Sequence, residues 1–149
     1  MKAAIIAFAL MGSGAFWAVN AQDLAEKDVP QAVKTALAQK YANATDLDWE
    51  KSGSNYEADF DVNKVDHTVI LDPSGKIVMA KRDIDKKDLP QTINNAIAQK
   101  YKGMRLDDIE VVERDGKSYY QVELDEKGND RHLVFSSDGN EVTEPTYWD

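Results

Sequence analysis

One segment of fourteen residues occurs twice in this chain, sixty residues apart, and this duplication limits the possible folds more than any other feature. Asp28-Val29-Pro30-Gln31-Ala32-Val33-Lys34-Thr35-Ala36-Leu37-Ala38-Gln39-Lys40-Tyr41 returns as Asp88-Leu89-Pro90-Gln91-Thr92-Ile93-Asn94-Asn95-Ala96-Ile97-Ala98-Gln99-Lys100-Tyr101. Eight positions are identical and three more exchange only among Val, Leu and Ile. Self-similarity at a fixed period means one supersecondary unit used twice.

Each copy reads first as a helix. Asp28 offers a side-chain acceptor to cap free amides, and Pro30 stands just inside the first turn, where its missing donor is not needed. Val29, Val33, Ala36, Leu37 and Tyr41 form one apolar stripe, with Gln31, Lys34, Thr35 and Gln39 off it. Such a helix covers a core on one side and meets water on the other. The spacing predicts helices over residues 28–41 and 88–101.

The period then changes from 3.6 to 2. Leu47 and Trp49 alternate with Asp48 and Glu50, and Ser52-Gly53-Ser54-Asn55 supplies a turn. Tyr56, Ala58, Phe60 and Val62 alternate with Glu57, Asp59 and Asp61, which puts apolar groups on one face of a strand and acids on the other. Strands are predicted at 68–71 and 76–81, joined by Asp72-Pro73-Ser74-Gly75 as a type I turn. The second copy repeats the plan, with strands at 109–113, around Tyr120, Val122 and Leu124, and at 131–135. Helix followed by strand meander, twice, predicts an α+β fold with the helices laid on one face of an antiparallel sheet. Residues 82–87 form only a short charged bridge, so residues 22–149 are expected to make one compact domain of two repeats, about 28–83 and 88–143.

The first twenty-one residues stand apart from this scheme. Lys2, an apolar run from Ala3 to Leu10, and Val19-Asn20-Ala21 with small residues at −3 and −1 make a signal peptide by pattern, cleaved before Gln22. An uncleaved anchor is the competing reading, and Gly12, Gly14 and the cleavage site favour export to the periplasm or beyond. Lys2 is the only charged residue of this segment, so its removal takes the formal net charge from −9 to −10. That acidity argues against nucleic acid, whose phosphates need Lys and Arg gathered on one face. With no cysteine in the chain, thiol nucleophiles and thiolate zinc sites are excluded. No cofactor motif is present, no cofactor or enzymatic activity is expected, and a monomer is the expected state.

Taken in order, each half reads Val-Pro or Leu-Pro, an amphipathic helix ending in Lys-Tyr, and Trp49-Glu50 or Val112-Glu113. A Gly turn follows, then Tyr56-Glu57-Ala58-Asp59-Phe60 or Tyr120-Gln121-Val122-Glu123-Leu124, and a hairpin through Gly75 or Gly139. This ordered set resembles the putative β-lactamase-inhibitor-like, PepSY-like family of small exported bacterial proteins, over residues 28–142. The resemblance implies a two-layer fold akin to the β-lactamase inhibitor protein. PepSY modules elsewhere occur in propeptides of secreted peptidases, so by analogy it implies an inhibitory or chaperoning role toward a protein or peptide partner. The aromatic and acidic loop contacts used by β-lactamase inhibitors do not map onto residues of this chain.

The candidate contact surface is the sheet face away from the helices. If Val69, Leu71, Leu133 and Phe135 point to the helices, Ile70 and Val134 point the other way, with Thr68 and His132 beside them. Glu57, Asp59, Asp61, Glu123 and Asp125 share that face, an acidic field around a small apolar centre. Scattered exposed aliphatics are also ordinary on soluble proteins. Trp49, Tyr119, Tyr147 and Trp148 are further partner-binding candidates, because aromatics concentrate at interfaces. The last two end the chain, where plugging an open edge of the core competes with meeting a partner. Asp59 and Asp61, two apart on one strand face, are weak metal candidates, since hard cations take carboxylate oxygens. They motivate the alternative reading of a cation-binding or stress-responsive envelope protein.

Overall fold

The computed structural model describes residues 22–125 and 127–149; the leader expected at residues 1–21 lies outside them. The first copy comprises β1 (Gln22–Asp23), a 3-10 turn (Glu26–Asp28), α1 (Gln31–Lys40), β2 (Thr45–Ser52), β3 (Asn55–Val62), β4 (Val65–Leu71) and β5 (Ile77–Asp83). The second has a 3-10 turn (Lys86–Asp88), α2 (Gln91–Lys100), β6 (Arg105–Arg114), β7 (Lys117–Asp125), β8 (Asp130–Ser136) and β9 (Glu141–Val142). The strands of both copies join one antiparallel sheet in chain order, β1 to β9, through the β5–β6 pairing of Met79 to Asp83 with Glu110 to Arg114. The fold is α+β, as the duplication and the change of period predict.

The helix starts differ from the sequence expectation. Asp28 ends a 3-10 turn, Pro30 occupies the N-cap position, and no side chain caps α1. The cause is the proline itself, which disfavours helical torsions in the residue before it. Val29 is therefore extended, with ψ 131°, and drops into the core, only 3 % exposed, before the helix begins. Leu89 repeats this with ψ 129° and 4 % exposure. Leu47 departs as well: a bulge between Thr45 and Asp48, with Asp46 at φ 53°, turns it outward from the run that carries Trp49. Gln22 and Asp23 pair with Lys51 and Glu50 along the outer edge.

Two apolar clusters lie between the helices and the sheet. In the first, Val29, Val33 and Leu37 meet Trp49, Ala58, Phe60, Val69, Leu71 and Ala80. In the second, Leu89, Ile93 and Ile97 meet Ile109, Val122, Leu124 and Phe135. Full burial of one such large side chain is worth about 1.5–3 kcal/mol, so these clusters fix which face of the sheet is closed. The hairpins after β4 and β8 also touch the helices. A Cβ built on Gly75 would lie 2.7 Å from the carbonyl oxygen of Ala32, and one on Gly139 would lie 3.0 Å from the backbone of Thr92.

The copies differ at their ends. β5 runs for seven residues, whereas β9, its counterpart after the matching hairpin, stops after two. The chain beyond β9 leaves the sheet edge.

Candidate functional site

Alternation along each strand sends one set of side chains to the helices and the other to the open face. Register then arranges the open set in rows. Glu57, Ile70 and Met79 sit side by side across β3, β4 and β5. Asp59, Thr68, Lys81, Val112 and Tyr119 form the next row, and Asp83, Glu110, Gln121 and Val134 another. Asp108, Glu123 and His132 follow.

The acids of this face are crowded, and the carboxyls of Glu57, Asp61 and Asp83 resist ionisation. Glu57 is pushed above the usual range, chiefly by burial and then by Asp59 and Glu50. Asp61 is pushed up chiefly by sharing a hydrogen bond with Asp66. Asp83 rises furthest, to about 6, through partial burial first and then the charges of Asp108, Asp66 and Glu110. Asp59 accepts a hydrogen bond from the Thr68 hydroxyl at 2.6 Å. Among the described residues no three carboxylates or histidines are placed to hold a metal ion.

The chain after β9 crosses this face. Lys81 pairs with Glu110 at 3.1 Å, and the Gln121 amide donates to Glu110 as well. Gln121, 1 % exposed, then turns both ends of its carboxamide to one residue of the tail. Its Nε2 donates to the Trp148 carbonyl at 2.7 Å, and its Oε1 accepts from the Trp148 N–H at 3.1 Å. Lys81 Nζ donates to the same carbonyl at 3.2 Å and stands 5.2 Å from the Trp148 ring centroid. Tyr147 stacks on His132, with centroids 4.3 Å apart, and Pro145 is buried. The Tyr147 hydroxyl is held far above its usual pKa, by burial first and then by Glu110, Asp108 and Glu123.

Beside the tail a groove of about 480 Å³ remains, lined by residues of both copies and by the tail itself. Its apolar wall is Ile70, Val78, Met79 and Val112, and Glu57 and Arg114 bring opposite charges to its rim. Val78 is 40 % exposed, one of the most exposed large aliphatic side chains among the described residues.

The structure separates the sequence-derived candidates into groups. Ile70, Val134, His132, Tyr119, Tyr147 and Trp148 come together on or against the open face. Val134 is only 5 % exposed, so it supports the face from beneath and does not present an apolar centre to solvent. Trp49 is a core residue on the helix side, 5 % exposed, in contact with neither groove nor tail. Its alternation with Asp48 and Glu50 already puts it on the apolar face. The tail plugs the open face of the sheet, not an edge of the core. Gln121, Glu110 and Lys81, which anchor it, were not singled out by the sequence reading. One signal does mark Gln121: aligned on the repeat it replaces Glu57, the one acid of Tyr-Glu-Ala-Asp-Phe that becomes neutral in Tyr-Gln-Val-Glu-Leu.

No helix among the described residues is long and apolar enough to cross a membrane. Comparison with solved structures finds the same arrangement in proteins of Bacteroides. A DUF2874 family protein from Bacteroides uniformis is 26 % identical, with TM-score 0.69 over 76 % of this chain and 86 % of that one. A BLIP-like protein from Bacteroides fragilis is 26 % identical, with TM-score 0.66 over 80 % and 92 %. A protein from Bacteroides eggerthii, described as a putative periplasmic protein, shares the fold at 21 % identity, with TM-score 0.71 over 76 % and 86 %. No curated protein sequence matches the chain. The family described as putative beta-lactamase-inhibitor-like, PepSY-like matches residues 8–79 and again residues 54–142, and the chain belongs to that family.

Proposed function

We propose that this protein is a non-enzymatic binding module of the periplasm or exterior, acting on a secreted or envelope protein through its open sheet face. The observation that carries this reading is the groove beside the tail, where Ile70, Val78 and Met79, backed by the buried Val112, form an apolar strip on an otherwise acidic face. Soluble proteins seldom leave such a strip bordered by charge unless something covers it. Similarity to a BLIP-like protein supports an inhibitory or regulatory variant of this role. The signal-peptide pattern of residues 1–21 supports a place outside the cytoplasm. Both histidines are engaged structurally: His67 stacks on Phe60, and His132 lies between Glu123 and Tyr147.

The test is affinity capture from envelope and culture fractions, using the chain from Gln22 to Asp149 beside an Ile70→Glu variant with an unchanged circular dichroism spectrum. Ile70 is half-buried at the groove, so a charge there alters recognition without entering the core, whereas one at Val134 would unfold it. A partner held by the natural chain and retained roughly tenfold less by the variant is expected, the size of effect that truncation of an interface anchor commonly has. Equal retention by both baits would remove the open face as the recognition surface.

A further inference from the structure

The tail's mode of attachment says what kind of partner the face accepts. The Gln121 carboxamide meets both the N–H and the C=O of Trp148, as a neighbouring strand's peptide group would. Contacts of this type read backbone and are indifferent to side-chain identity. Selectivity comes from the flanks, with Tyr147 over His132 and Trp148 beside Lys81. Adjacent residues of an extended chain point to opposite sides, so two consecutive aromatics fill both subsites from one stretch of backbone.

The anchor is built into the sheet. Gln121 and Glu110 are 1 % and 8 % exposed, and Lys81 joins them in a charge-assisted network that an apolar residue at any of the three positions would break. The tail, by contrast, has no ladder of its own. Beyond Val142 it pairs with no strand among the described residues, and Tyr147 and Trp148 are only half-buried. A site built into the sheet is thus occupied by a segment that lies outside the strand ladder.

Resting on the binding role given above, we propose that residues 145–149 are an internal occupant of a peptide-binding site. A partner's extended segment with two adjacent aromatic side chains takes their place on Gln121, Lys81 and His132. The tail acts as a competitor that keeps the site closed until such a segment arrives. Being tethered, it holds the site at a high effective concentration, so the exchange favours only a well-matched segment.

The test uses the chain from Gln22 to Asp149 and a fluorescein-labelled peptide of sequence Glu-Pro-Thr-Tyr-Trp-Asp, followed by fluorescence polarisation. In the full-length Tyr147→Ala, Trp148→Pro variant both aromatic side chains and the N–H that meets Gln121 are removed, the face is vacated, and the peptide binds it at least about tenfold more tightly than it binds the natural chain. Adding Gln121→Leu to that variant abolishes this gain. No binding to a folded double variant, or binding unaffected by Gln121→Leu, would overturn the proposal. Loss of folding in the double variant would overturn it too, because a displaceable occupant is not required for the fold. If the peptide fails while Ile70→Glu still loses a captured partner, the binding role stands and the tail is a structural strap.

Discussion

At Asp83 the cost of the acidic face is concentrated on one carboxyl. It faces Glu110 across β5 and β6, with Asp108 and Asp66 near, and its pKa rises from 3.8 to about 6. A carboxyl raised in the folded state binds its proton more tightly there than in the unfolded chain. The stability it contributes is full below the unfolded value near 3.8 and is lost as pH rises through about 6. Because the group is only partly buried, solvent screening reduces the effect. An Asp83→Asn variant removes the penalty: its melting temperature should exceed that of the natural chain near pH 7, and the gap should close near pH 4. A constant gap across that range would show that Asp83 is ordinary. Glu57 and Asp61 are raised in the same sense, so the Asp83→Asn variant should retain some pH dependence of its own.

The two hairpin glycines tie elements together in the same way in each copy. Gly75 and Gly139 both have φ 89°, and each lies against the first turns of its own helix. A methyl group at either position meets strain twice, from torsion and from contact with Ala32 or Thr92. Gly53, with φ 61° and open space around it, supplies the control. In urea unfolding, Gly75→Ala and Gly139→Ala should each cost about 2–3 kcal/mol, against about 1 kcal/mol for Gly53→Ala. Equal costs would mean that the close approach contributes nothing. Much of this was legible in the sequence, because Asp72-Pro73-Ser74-Gly75 is a turn by composition and Gly139 falls at the matching place. Helix starts were less legible: Asp28 and Pro30 match a capping pattern, yet the restriction proline places on Val29 prevails. Leu47 escaped because a bulge shifts its register locally, which alternation alone does not reveal.

Across the whole molecule the duplication accounts for the sheet, and departures from it account for the candidate site. The helix-facing residues follow directly from period and repeat. So does the acidic character of the other face, since Glu57, Asp59 and Asp61 return as Gln121, Glu123 and Asp125. The tail's course was not legible, because it depends on β9 ending early and on a carboxamide, a lysine and a glutamate brought together from three strands. Covering part of the open face in this way leaves Ile70, Val78 and Met79, beside the tail, as the exposed apolar strip. Site-specific photo-crosslinking in cells tests the assignment of that strip as the recognition surface most directly, with the reactive group placed at Val78 in the groove or at Leu47 outside it. These residues are similarly exposed, 40 % and 39 %, so accessibility does not bias the comparison. A discrete adduct from Val78 and none from Leu47 is the result predicted; an adduct from Leu47 alone would contradict the account.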